Sequence, residues 1–382
     1  MNRVTGQFIL QKIVGESFNA YVPKSLPPDP PIDLPRLYPW LERATIALGE
    51  LNSIQKLIPN PSLFIYMYVC KEALLSSQIE GTQSSFSDLI LFEHHQKTQV
   101  SLEDVEEVSN YIKALNYGIA RLEQLPLSLR LLKEIHSILL SGGRGANKLP
   151  GEFRRSQNWI GGTRPGNASF VPAPVEYLDD CLAQWEKFLH DESLPALIKA
   201  GLIHVQFETI HPFLDGNGRL GRLLITLLLT HSRMLEAPIL YLSLYLKKHR
   251  QYYYELLQSV RISGDWERWL EFFLEGVFIS AKNAVDTAFA IKNIFEEDEQ
   301  KMASLGRLRF STMKVFEFMK LLPQLDVPFL STQLKISAPT ARKALNSMVD
   351  LGVLEEITNQ KRDKIYVYRR YLDILEEGAK PF

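Results

Sequence analysis

Apolar positions recur every three to four residues through most of the first 300 residues of this chain, the spacing of helices that bury one face. Val105, Val108, Ile112, Leu115 and Ile119 make one such stripe, opened by Ser101-Leu102-Glu103-Asp104 in the manner of a capping box. The same periodicity predicts helices over 38–54, 62–79, 86–96, 128–140, 175–190 and 195–210. Residues 62–79 begin apolar almost all round (Leu63, Phe64, Ile65, Met67, Val69), which predicts a buried helix. Past Asn217 the leucines 220, 223, 224, 227 and 228 predict another core helix. No alternation of strands with helices occurs, so the fold class is mainly α: a helical bundle with one β-hairpin.

The pattern breaks in three places. Residues 1–39 hold seven prolines from Pro23 to Pro39 and predict an irregular, extended arm. Asn147 to Pro174 is rich in glycine, proline and turn residues, around two short β-like pieces at 157–161 and 168–172, which predict a hairpin. Phe295 to Lys301 reads as a charge-rich hinge, and a different pattern follows it. Helices over 313–321, 330–335 and 340–351 precede strands at 353–357 and 365–368 around a turn at 359–364, which is similar to a winged helix-turn-helix domain. The expected divisions are 1–100, 101–294 and 295–382.

Composition adds little direction. The chain has 382 residues, a net charge of −1 and a hydrophobic fraction of 46%, ordinary for a globular protein. Near-neutral charge excludes a global pull towards nucleic acid or anionic membrane, so any basic footprint is local. Arg342 and Lys343, with Lys361, Arg362 and Lys364 at the wing tip, make 305–375 a candidate DNA-binding surface, against a partner or dimer module. The two cysteines, Cys70 and Cys181, sit in apolar helical patterns and predict reduced core residues of a cytoplasmic protein. No apolar run is long enough for a membrane span, so no membrane partner is expected.

The chemistry is concentrated at 211–222, H-P-F-L-D-G-N-G-R-L-G-R. Pro212 pushes His211 out of the helical region, ending the helix before it. The next helix starts near Asn217, so its free N–H groups and positive dipole end face the loop. Gly216 and Gly218 let backbone wrap an anion, Arg219 and Arg222 can clamp phosphate oxygens, and Asp215 suits Mg²⁺. Gly216, Gly218 and Gly221 also satisfy a dinucleotide fingerprint, with Glu236 at fitting distance, but that fold needs a strand before the glycines and the sequence predicts a helix. Two other histidines, His136 and His204, lie within helical patterns and are expected to be structural.

This stretch resembles the core motif of the Fic family, H-x-F-x-[D/E]-G-N-G-R-x-x-R, at every specified position. The resemblance implies transfer of AMP from ATP to a protein hydroxyl, with Mg²⁺ at Asp215 and His211 as base. It implies phosphate contacts along Gly216, Asn217, Gly218, Arg219, Leu220, Gly221 and Arg222, and the adenine near Tyr253 and Tyr254. Ser76, Glu80 and Gly81 are similar to the family's inhibitory motif [S/T]-x-x-x-E-[G/N], which implies a bidentate pair between Glu80 and Arg222. Trp159, Ile160, Gly161 and Gly162 resemble the flap that holds a target segment. Implied partners are ATP and a protein substrate that could be the chain itself, with DNA and a second copy of the chain left open. The family also leaves open AMP removal, transfer of other phosphate groups, or a regulator that only senses nucleotide.

Overall fold

Apolar faces of the predicted kind do assemble into one helical core. A computed structural model describes residues 3–13, 15–58, 60–93, 101–143, 145–358 and 364–381. The elements are β1 (Gly6–Ile13), β2 (Glu16–Pro23), α1 (Leu34–Ile54), α2 (Pro61–Ile79), α3 (Phe86–Glu93), α4 (Leu102–Arg121), α5 (Leu129–Leu139), α6 (Leu178–Leu189), α7 (Ala196–Ile210) and α8 (Asn217–His231). They continue with α9 (Ser243–Lys248), α10 (Arg250–Ser263), α11 (Trp266–Met302), α12 (Arg309–Leu321), β3 (Gln324–Asp326), α13 (Val327–Leu334), α14 (Ala338–Asp350), β4 (Glu355–Glu356), β5 (Ile365–Val367) and α15 (Arg369–Glu376). The fold is mainly α.

Helix starts follow the capping residues. Asn60 accepts from the Leu63 N–H at 3.2 Å with Pro61 opening α2, and Ser101 accepts from the Asp104 N–H at 3.2 Å to open α4. α2 is buried through most of its length and packs on α4 and α9, while α7 and α8 lie against each other. Long α11 runs beside α1 and reaches the C-terminal elements. There α12, α13 and α14 surround a three-stranded sheet in the order β3-β5-β4.

Three expectations change. The N-terminal arm is not irregular: β1 and β2 pair as an antiparallel ribbon from Gly6↔Pro23 to Ile13↔Glu16. Phe18 and Ala20 point into a small apolar cluster with Val171, and this period-two burial outweighs the nearby prolines. α1 begins at Leu34, with Asp33 as N-cap and Pro35 in its first turn, where proline is compatible with a helix. The hairpin expected at 157–172 contracts to the single bridge Ile160↔Phe170, because glycines at positive φ (Gly161 and Gly162, both +70°) and a short 3₁₀ turn at 165–167 interrupt it. β2 extends it from the other side, Tyr21 N–H donating to Val171 at 2.9 Å. Phe295 to Lys301 is no hinge, since α11 passes through it to Met302. Within the predicted wing, Lys361 and Arg362 lie outside the described residues, as do 94–96 of the predicted 86–96 helix.

Candidate active site

The site is the junction of α7 and α8. His211 caps α7 in the left-handed region (φ 49°, ψ 62°), its N–H still donating to Phe207 at 2.9 Å. Five residues later Gly216 (φ 74°) turns the chain into α8, a conformation that favours glycine. The loop between them is held from all sides. Asn217 accepts from the Phe213 N–H and donates to the Phe213 carbonyl, each at 2.9 Å. Asn158 donates to the His211 and Phe213 carbonyls at 3.2 and 2.9 Å, and Arg154 donates to His211 O at 3.1 Å. His136 accepts from Gly151 N–H at Nδ1, so its Nε2 carries the proton given to Asp215 O at 3.0 Å, while its ring stacks on Phe213. Burial pushes this imidazole down to about 4, keeping it neutral and able to accept.

His211 is half-buried and its imidazole is also pushed down to about 4, loss of solvent being the main cause and Arg261 and Arg154 adding to it. Its Nδ1 is buried without a hydrogen bond and lies 3.9 Å from Glu208 Oε2. The ring's 18% exposure therefore belongs to its other atoms, which leaves Nε2 to meet a substrate. Burial pushes the Glu208 carboxyl up to about 7. Glu208 carries no sequence motif; its place one turn before His211 is the only signal it gave.

The two arginines of α8 are fixed differently. Arg219 is buried and donates to Glu107 on α4 at 3.1 Å, with Asp215 Oδ1 at 3.8 Å. Glu107 was missed because it lies within an apolar stripe that reads as ordinary amphipathic helix. Arg222 donates from Nε to Ser76 Oγ at 2.9 Å, and from Nη2 to Ser76 O at 3.0 Å and to Glu80 Oε1 at 2.6 Å. The expected bidentate pair is thus a single bond, because Ser76 takes the guanidinium's other donor edge. Burial would lower the Arg222 pKa, but the Glu80 charge holds it well above the usual value. Burial would likewise raise Glu80, and Arg222 with Arg219 brings it below the usual carboxylate range.

Glu80 caps α2, and Gly81 (φ 103°) turns the chain away. A Cβ at Gly218 would lie 2.3 Å from Glu80 Oε1, so the carboxylate rests directly on the first turn of α8, and only glycine allows this approach. The anion-binding end of α8 therefore holds an anion supplied by the chain itself. Leu220 and Gly221 are buried, the latter giving its carbonyl to His204 at 3.0 Å.

The two tyrosines separate. Tyr253 is 1% exposed, and its hydroxyl meets His204 Nε2 at 2.7 Å, so it packs the site from behind and is closed to a base. Tyr254 is 41% exposed and free to stack, with Arg250 5.7 Å above its ring. On the flap, Trp159 is exposed and Ile160 half-buried, with Gly161 and Gly162 at the bend. Asp215 is 41% exposed. Among the described residues no three acidic, histidine or cysteine side chains gather as a metal cage. A single exposed carboxylate fits Mg²⁺, which takes one or two carboxylates together with substrate phosphates. Among the described residues no helix is long and apolar enough to cross a membrane.

The second face of α2 is tied to the C-terminal segment. Gln78, fully buried, donates to Ser84 O at 2.9 Å and Ala379 O at 2.8 Å, and accepts from Lys247 Nζ at 2.6 Å. Lys247 also donates to Lys380 O, and Ser87 to Glu376 at 2.8 Å.

Known proteins resemble this chain in sequence and in fold. The chain matches the model of the Fic/DOC family N-terminal region over residues 38–120 and that of the Fic/DOC family over 126–229. It is 31% identical over 235 residues to a protein adenylyltransferase Fic of Drosophila virilis, and 28% identical over 235 residues to that of Drosophila willistoni. Each alignment covers 61% of this chain, which spans 44% and 43% of those relatives' lengths. In structure it resembles a Fic family protein from Desulfovibrio desulfuricans, with a TM-score of 0.59 at 19% identity over 87% of this chain and 96% of the other. A fragment of Fic-1 from C. elegans superposes with a TM-score of 0.52 at 22% identity, over 65% and 71% of the two chains. Two adjoining domain matches, a complete loop motif and the shared fold agree: this chain belongs to the Fic/DOC family.

Proposed function

We propose that the chain is a protein adenylyltransferase held inactive by its own Glu80. The observation that carries this reading is the Glu80 carboxylate on the first turn of α8, bonded to Arg222, where a triphosphate would otherwise lie. In the active form ATP takes that position. Backbone N–H groups of Gly216, Asn217 and Gly218 receive phosphate oxygens, and Arg222 turns from Glu80 to the γ-phosphate. Arg219, anchored by Glu107, keeps positive charge beside the loop. Asp215 would hold Mg²⁺, which when bound neutralises charge on the phosphates.

His211 Nε2 accepts the proton of a target Ser, Thr or Tyr hydroxyl. The hydroxyl oxygen forms a bond to the α-phosphorus as the bond to pyrophosphate breaks. Placement and charge stabilisation supply most of the acceleration. The flap around Ile160 offers backbone to an extended target, and Tyr254 an exposed ring for adenine. Incubation with ATP labelled on the α-phosphate tests the reading: label should appear on protein, most strongly in a Glu80→Gly variant, and not with γ-labelled ATP.

A second reading concerns the C-terminal elements. Arg342 and Lys343 are exposed on α14, with no ion pair to either among the described residues. That supports DNA binding as an added property of α12 to β5, alongside catalysis.

A further inference from the structure

A cavity of about 560 Å³ lies away from the loop site, between α2, α9, α11 and the segment after α15. Its size falls in the range of small-molecule sites. Its floor carries Lys71 and Ser280, which are 2% and 1% exposed. The Ser280 hydroxyl is buried without a hydrogen-bond partner, a rare and costly state for a buried donor. Lys71 makes no hydrogen bond and no ion pair among the described residues; its ammonium stands 4.9 Å from the centre of the Tyr241 ring. Burial pushes this amine down to about 8, while Glu377 on the opposite wall partly offsets the effect. Leu244 and Ile279 line the sides, and exposed Lys248, Asp286 and Glu377 form the rim.

We propose that this cavity is a second binding site, for a small organic oxyanion with an apolar body. Lys71 and Ser280 donate to the carboxylate or phosphate head, and the body lies against Leu244, Ile279 and the Tyr245 ring. A buried ammonium with no carboxylate bonded to it is costly unless an anion meets it, and two donors idle at one cavity floor are satisfied by one such head group. A purely structural lysine would sit on its ion-pair partner, and the tyrosine ring alone does not satisfy three N–H donors. The position also matters. Lys71 belongs to the helix that ends at Glu80, and Glu377 begins the tail segment bonded to Gln78, so an occupant would bridge the two.

Calorimetric titration of the full chain with benzoate and with phenyl phosphate tests this. Saturable binding of benzoate assigns a carboxylate ligand, and of phenyl phosphate a phosphate ligand. In either case Lys71→Met should weaken it about tenfold to a hundredfold, the loss of a charge-assisted hydrogen bond. Ser280→Ala should weaken it less, and excess ATP with Mg²⁺ should not displace the probe. Lys71→Met should also raise the melting temperature of the unliganded protein, since it removes a buried charge. Saturation by neither probe, binding that survives Lys71→Met undiminished, or a lowered melting temperature in that variant would overturn the proposal.

Discussion

Replacing Glu80 by glycine isolates the contact proposed to inhibit, because it removes the carboxylate and leaves the rest of the clamp. Arg222 keeps its two bonds to Ser76, at 2.9 and 3.0 Å, so the guanidinium stays in place for a γ-phosphate. What disappears is one charge-assisted bond of 2.6 Å and a negative charge on the first turn of α8. Such bonds contribute about 1.5–3 kcal/mol. Glu80 is 39% exposed while Arg222 is 2% exposed, so solvent screens the carboxylate and the lower end applies. That alone corresponds to about tenfold in transfer rate. The carboxylate also fills space over Gly218 that the phosphates need, and a displacement of the α-phosphate by about 1 Å can cost on the order of 10²-fold. Together these give a rise of between about 10- and 10³-fold for Glu80→Gly.

The assay is the initial rate of label transfer from α-labelled ATP to protein at saturating ATP and Mg²⁺. Glu80→Gln, which keeps a weaker neutral bond, should fall between wild type and Glu80→Gly. Arg222→Ala should stay low, since it removes the clamp along with the lock. Equal rates for Glu80→Gly and wild type would refute the reasoning and leave Glu80 as a helix cap alone.

Other changes have separate signatures. In the Glu80→Gly background, His211→Ala should lower transfer by about 10²- to 10⁴-fold while equilibrium dialysis finds ATP binding retained. Gln78→Ala removes one of the acceptors of Lys247 and the donor to the Ser84 and Ala379 carbonyls; it should cost about 1–3 kcal/mol in denaturant melts and raise transfer in the otherwise wild-type chain by loosening α2. Arg342→Glu with Lys343→Glu should abolish any duplex binding that weakens with salt, and absence of such binding in the wild type would discard the DNA reading. Stability should rise with pH around pH 5.5: the unfolded chain there binds protons at His136, His204 and His211, which burial keeps neutral in the fold, while the fold retains protons at Glu72 and Glu208 that the unfolded chain releases. Three protons against two leave a slope of about 1.4 kcal/mol per pH unit, and Glu72→Gln should roughly double it.

Much of the loop was legible because its chemistry is local. Pro212, Gly216 and the leucines after Asn217 dictate where α7 stops and α8 starts, whatever surrounds them. The supports of that loop were not legible: His136, Glu107 and the pair Arg154 and Asn158 come from three separate segments, and nothing in their own neighbourhoods marks the contacts they make with it. His136 illustrates the limit. Its helical pattern implied a satisfied core histidine, and it is buried with both ring nitrogens bonded, but the partner, Asp215 O, lies 79 residues away. Local pattern also misled where tertiary pairing decides. Prolines made 1–39 look unstructured, although Phe18 and Ala20 had the alternation of a strand, and β2 needed Val171 to complete it. Acidic residues made 295–301 look like a hinge, yet Asp298 is fully buried there and accepts from Tyr368 at 2.7 Å.

The Glu80–Arg222 contact has the same character, and its strength depends on that. Neither Ser76 nor Glu80 is unusual by itself, and Arg222 is one of many arginines. Brought together, and under the proposed function, they give one guanidinium two alternative anions. Ser76 serves both states, since its bonds to Nε and Nη2 do not involve the place where a phosphate would arrive. Only Glu80 must leave, and it is the most exposed member of the cluster, at the free end of α2. An internal anion that is half-exposed binds weakly enough to be displaced, while one fully buried would hold the arginine permanently. The balance between the two anions is then set by whatever fixes the end of α2, where the Gln78 bonds to Lys247 and Ala379 and the Gln83 N–H bond to Asp104 at 2.8 Å reach beyond the local chain.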